Sequence, residues 1–125
     1  MLYTIGYTGL NLDVLVSFLT ETDAKLVDIR FSPRSRNPAY SRMRLEKRLG
    51  VRYRHLSALG NVNYKGGSVR ILDYQGGKAA IQSLLATFQA LVLLCVCKDV
   101  TLCHRKGVAE RLSVDLGVGL EHLTL

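Results

Sequence analysis

The residues with chemical potential crowd into one stretch, Leu93-Leu-Cys-Val-Cys-Lys-Asp-Val-Thr-Leu-Cys-His-Arg-Lys106. It holds three thiols, an imidazole, a guanidinium and two ammonium groups. Cys95 and Cys97 lie two apart on a strand-like run, so period-2 alternation puts them on one side. Cys103 stands where a helical pattern begins, next to His104. A thiol at a helix N-terminus near cations has its thiolate stabilised, which makes Cys103 the candidate nucleophile or redox group. The other role open to it is that of a small buried residue, common for free cysteine. Cys97, Cys103 and His104 are soft or borderline metal ligands, but their spacing is not a paired Cys-x-x-Cys arrangement. On that spacing no metal is assigned, and no nucleotide cofactor is expected, because a P-loop and a Gly-x-Gly-x-x-Gly fingerprint are both lacking.

A second set of candidates lies upstream. Nine of the 17 Lys and Arg residues fall between Arg30 and Arg54, in a chain of net charge +7. So dense a cationic segment predicts an anionic partner: phosphate, nucleotide or nucleic acid. Arg30, Arg34, Arg36, Arg105 and Lys98 are the candidate anion-binding residues, arginine being suited to bidentate phosphate contact. Asp28 and Arg30 share one side of a strand end, either as an ion pair or as part of a site. Asp28 or Asp99 is the candidate general base, and Tyr7, Tyr40 and His55 are candidate lid or substrate contacts. Phosphatases and rhodaneses put a nucleophilic cysteine on a strand-to-helix loop closed by an arginine. This chain has such a place but not that sequence, since Cys103 is the sixth residue after Cys97.

The elements that position these groups follow from periodicity. Strands are expected at Leu2–Tyr7, Lys25–Phe31, Val51–Leu56, Leu91–Val96 and Leu120–Leu125. Helices are expected from Asn11 or Asp13 to Thr22, from Ser41 to Leu49 with Gly50 as stop, over Lys78–Ala90, and over His104–Leu116 closed by Gly117. Both prolines lie in Ser32–Pro38, which must be a loop. Within Leu59–Gly77, two glycine pairs frame Val69–Tyr74, a short strand or helical turn, which suits a lid; a plain surface excursion is the other reading. Alternating strands and helices imply one three-layer α/β domain over residues 1–125, Rossmann-like or flavodoxin-like. Its mostly parallel sheet has about five strands, with helices on both faces. In such sheets the chemistry sits at the carboxyl ends of the strands.

Composition sets the outer limits. With 125 residues and 48% hydrophobic content, a packed core is expected without disulfides. Three clustered cysteines fit reduced thiols better than a secreted disulfide framework. No apolar run nears the ~20 residues of a membrane span, and Met1–Gly6 lacks the pattern of a signal peptide. A cytoplasmic protein with no membrane partner is therefore expected.

Several blocks together resemble one family, the domain of unknown function 488. They are Tyr3-Thr-Ile-Gly-Tyr7, Val27-Asp-Ile-Arg-Phe-Ser-Pro-Arg-Ser-Arg36, Asn37-Pro-Ala-Tyr-Ser41, His55-Leu56, Leu59-Gly60, Cys95, and Cys103-His-Arg105. Cys97 stands where that family commonly has a glutamate, so no acid–base role is carried over to that position. The resemblance implies a compact α/β fold with a polar site, and supplies no reaction. Two functions remain open. One is an enzyme whose pocket, built from the arginine loop and the Cys-His-Arg turn, takes a small anionic or phosphorylated ligand. The alternative is a nucleic-acid-binding module using the Arg30–Arg54 face, although aromatic residues are only 7% of the chain and stacking platforms are few. The exposed third strand is also a candidate edge for homodimerisation.

Overall fold

The computed structural model describes residues 1–125. Its five strands are β1 (Leu2–Gly6), β2 (Ala24–Asp28), β3 (Tyr53–His55), β4 (Ala90–Cys95) and β5 (Leu120–His122). They form one sheet in the order β3-β2-β4-β1-β5, and every pairing is parallel. The four helices are α1 (Leu12–Glu21), α2 (Arg42–Leu49), α3 (Tyr74–Leu85) and α4 (His104–Leu116).

The central strand explains the three layers. All six residues of β4 are buried, as expected of a parallel strand covered on both sides. Leu91, Leu93 and Cys95 pack with Ile81 of α3 and Val108 and Leu112 of α4. Val92 and Leu94 pack with Leu15 and Leu19 of α1 and Leu45 of α2. Two apolar layers thus sandwich the sheet, with α3 and α4 on one face and α1 and α2 on the other.

Local chemistry fixes most boundaries. The Asn11 side chain accepts from the Asp13 amide and starts α1, and Ser41 caps α2 by accepting from the Arg44 amide. Gly117 closes α4 in the left-handed region at φ 64°. Gly6 is required by close approach, because a Cβ there would lie 1.7 Å from the Cys97 carbonyl oxygen. The loop after β4 therefore folds back against the end of β1.

Three expectations need correction. Helix α3 begins at Tyr74, not Lys78, because Asp73 caps it by accepting from the Gly76 amide. Gly77 inside that first turn packs on Leu59, whose side chain a Cβ would meet at 2.3 Å, so tertiary packing overrides glycine's weak helix propensity. Strand β2 ends at Asp28, because the Asp28 carboxylate turns back to accept from the Arg30 amide. Residues 60–73 form a tied excursion rather than a strand or helical turn. An antiparallel bridge joins Asn61 to Ile71, and the Asn61 side chain accepts from the Asn63 and Arg70 amides.

Candidate functional site

The carboxyl ends of β1, β4 and β2 lie side by side, with Gly6 paired to Cys95 and Asp28 to Leu94. The arginine loop leaves β2 at this edge, and the Cys-His-Arg turn leaves β4 beside it. The two expected halves of the site therefore meet at one edge, but their guanidiniums diverge onto opposite faces.

On the α1/α2 face, Arg30 is held rather than offered. Its Nε donates to Asp28 Oδ1 at 2.8 Å and its Nη2 to Asp28 Oδ2 at 2.6 Å. The Tyr53 hydroxyl also donates to Oδ2, at 2.6 Å. Asp28 has no exposed surface and Arg30 is 3% exposed. With both oxygens engaged, Asp28 is a strut rather than the expected general base, and Arg30 is the cation that neutralises it. The pair holds the Arg30 pKa above its ordinary range, against a large desolvation cost. Tyr53 is pushed above its usual value by burial and then by the adjacent carboxylate.

The expected contacts sort likewise. Tyr7 stacks on Tyr40 at 4.5 Å between centroids, and the Arg30 guanidinium lies 5.2 Å from the Tyr7 ring. Tyr40 is fully buried and its hydroxyl donates to the Leu10 carbonyl, so it packs and does not face a ligand. His55 Nε2 donates to the Arg30 carbonyl at 2.7 Å. Its Nδ1 can then accept from Arg42 Nη1 at 3.5 Å, which anchors the root of the arginine loop.

On the α3/α4 face, Arg105 is likewise structural. It is 1% exposed; Nε donates to the Thr4 hydroxyl, Nη1 to the Cys97 carbonyl and Nη2 to the Lys98 carbonyl. The Thr4 hydroxyl is also hydrogen-bonded to His122 Nδ1 at 2.6 Å. This arginine ties the loop after β4 to β1 and is not available to grip a ligand. Lys98 is exposed and lines a separate small cleft with Thr8 and the C-terminal residues.

The thiols converge. Cys95 Sγ, Cys103 Sγ and a ring nitrogen of His104 all lie within 4.8 Å of one another. Cys95 Sγ is 3.5 Å from His104 Nδ1. His104 Nε2 is 3.2 Å from the Ile29 carbonyl oxygen, an obligate acceptor, so Nε2 carries the proton and Nδ1 presents a lone pair to the thiols. The cysteines are free. The Cys103 thiol is held well below its ordinary pKa, chiefly by hydrogen bonding from Cys95. Cys95 is pushed up, because it supplies that hydrogen bond and is buried. Cys97 is raised by burial and by the neighbouring Cys103.

Two cavities border this corner, one on Cys103 and His104 and the other on Cys95. One, of about 390 Å³, is lined by Cys103, His104, Lys106 and Arg111 of α4 and by Val69 and Ile71 of the tied excursion. The expected lid thus lies over the start of α4. The other, of about 320 Å³, is lined by Arg30, Arg34, Lys65 and Cys95. Arg34 also lines an adjoining cleft with Arg36 and Tyr7. Arg34 and Arg36 are exposed and pair with no carboxylate.

Sequence reasoning missed Thr4, Tyr53 and the proximity of Cys95 to His104. Thr4, a polar residue in an otherwise apolar strand, carried a signal, since a buried hydroxyl needs partners. Cys95 carried one only as a block of the family resemblance; its nearness to His104 was hidden, because only the return of the loop brings His104 back to the strand end. No curated protein and no solved structure matches this chain. Residues 19–112, which run from the end of α1 through most of α4 and take in the arginine loop and the whole thiol corner, match the family described as Domain of unknown function DUF488, and the chain belongs to that family.

Proposed function

We propose that this protein is an enzyme acting on a small anionic substrate, phosphorylated or nucleotide-like. Arg34 and Arg36 hold the anion, and Cys103 and His104 are the groups that act on it. One observation carries this reading. The unpaired Arg34 shares a cavity with Cys95, whose sulfur lies within 4.8 Å of the Cys103 sulfur and the His104 ring nitrogen. A substrate phosphate on the arginine loop would thus sit next to the thiol corner. Exposed guanidiniums without partners lose little on meeting a phosphate and gain charge-assisted hydrogen bonds.

Turnover of a panel of phosphomonoesters and nucleotides tests the proposal. Cys103→Ala is expected to lower kcat by at least about 100-fold, the scale of a lost acid–base or nucleophilic group. The double variant Arg34→Ala/Arg36→Ala is expected to raise KM by about 10-fold or more, as loss of a charged hydrogen bond implies. Unchanged turnover in a variant lacking both Cys103 and Arg34 would overturn the proposal.

The alternative, nucleic-acid binding through Arg30–Arg54, has less support. Four of its nine cations are already paired: Arg30 with Asp28, Arg42 with Glu46, Arg48 with Asp13 and Arg52 with Asp23. Titration with single- and double-stranded DNA and RNA at low salt decides it, since such binding must weaken steeply as salt rises.

A further inference from the structure

We propose that Cys95, Cys103 and His104 form a zinc-binding site with its fourth coordination position open. Two thiolates and one imidazole are a common zinc donor set, and three protein ligands leave the fourth place for water or substrate. Bonds of about 2.3 Å to sulfur and 2.1 Å to nitrogen put tetrahedral ligand atoms about 3.6–3.8 Å apart. The Cys95 Sγ to His104 Nδ1 separation is 3.5 Å, and all three donor atoms lie within 4.8 Å of one another. Closing onto a metal therefore needs shifts of an ångström or less.

The orientation of the imidazole is the second, independent observation. A metal-bound histidine characteristically donates its other ring N–H to a carbonyl or carboxylate. Here Nε2 donates to the Ile29 carbonyl at 3.2 Å, which turns the Nδ1 lone pair toward the two sulfurs. The ligands also stand on fixed elements. Cys95 ends the fully buried central strand, and Cys103 and His104 open α4. The loop between them is clamped by Arg105 at the Cys97 and Lys98 carbonyls. Two thiolates offset the charge of a divalent ion, so the filled corner is neutral. Cys97, half-buried, is not among the converging donors.

The inference rests on the proposed function in one respect, that the open position faces an anionic substrate. Cys103 and His104 line one cavity and Cys95 the other, so a phosphoryl oxygen held by Arg34 has an approach to the metal. A zinc ion there would polarise that oxygen or acidify a bound water.

Cobalt(II) titration of the reduced, metal-free full chain is the test. One cobalt per chain is expected, with thiolate-to-metal charge-transfer absorption and the intense visible bands of a tetrahedral ion, both abolished by added zinc. Cys103→Ser and His104→Gln, checked for folding by circular dichroism, are expected to weaken binding by at least about 100-fold, beyond what loss of an outer-shell partner does. Cys97→Ser is expected to keep the spectrum. Should a ligand variant fail to fold, alkylation of the wild-type chain gives a second reading: zinc is expected to protect Cys95 and Cys103 but not Cys97. No charge-transfer band in the wild type, its persistence in both ligand variants, or its loss in Cys97→Ser would overturn the proposal. So would alkylation of Cys95 and Cys103 unchanged by zinc. Cysteine-dependent turnover without metal would sink the zinc site and spare the proposed function. Metal binding without turnover of any anionic substrate would do the reverse.

Discussion

Arg30 and Arg105 are both buried guanidiniums at the carboxyl edge of one sheet, yet they solve opposite problems. Arg30 neutralises Asp28 on the α1/α2 face, and the pair carries the arginine loop. Arg105 has no carboxylate partner. It satisfies one hydroxyl and two carbonyls on the α3/α4 face and so pins the loop that presents the thiols. A buried ion pair is costly to break because the survivor is left as an uncompensated charge. A buried arginine bound to neutral acceptors is costly to remove because those acceptors lose their partners. Arg34 and Arg36 differ from both, being exposed and paired with no carboxylate.

Substitutions can break or sharpen this contrast. Asp28→Ala is expected to have the largest effect, a loss of about 3–5 kcal/mol in urea unfolding, since Arg30 is left charged and unpaired. Adding Arg30→Met should recover much of that loss; no recovery would mean that the pair is more than mutual neutralisation. Arg105→Met is expected to cost about 2 kcal/mol, and to loosen the thiol corner so that Cys103 is alkylated faster. An unchanged alkylation rate would show that the loop holds its shape without Arg105. Tyr53→Phe removes one hydrogen bond to a carboxylate that Arg30 still holds, and about 1.5 kcal/mol is expected. Arg34→Ala and Arg36→Ala should each change stability by less than about 0.5 kcal/mol, as surface positions do. A larger loss at either position would show a structural role there.

Parts of the site were legible because they depend on local chemistry. The placement of Cys103 before a helix follows from an apolar run, a turn and a periodic pattern, and α4 does begin at His104. The loop of residues 32–38 was fixed by its prolines. The roles of Asp28, Arg30 and Arg105 were not legible, because a charge signals a site only when the fold leaves it unpartnered. Asp28 is followed two residues later by its own counter-ion, a spacing equally compatible with a site. Arg105 follows two candidate site residues in sequence, but one step along a helix rotates a side chain by about 100°, enough to carry it from the cavity into the core.

The amino-acid order alone determined the alternation of strands and helices, hence a parallel sheet covered on both faces, because hydrophobic period and crossover handedness leave few other ways to bury those strands. It also determined the family, through blocks that survive as linear motifs. Only the tertiary structure decided which of the polar residues are structural and which are available. That choice turns on partners distant in the chain: Tyr53 for Asp28, Thr4 for Arg105, and Cys95 with the Ile29 carbonyl for His104. Such partners are set by how the strands order themselves in the sheet, which no local pattern encodes.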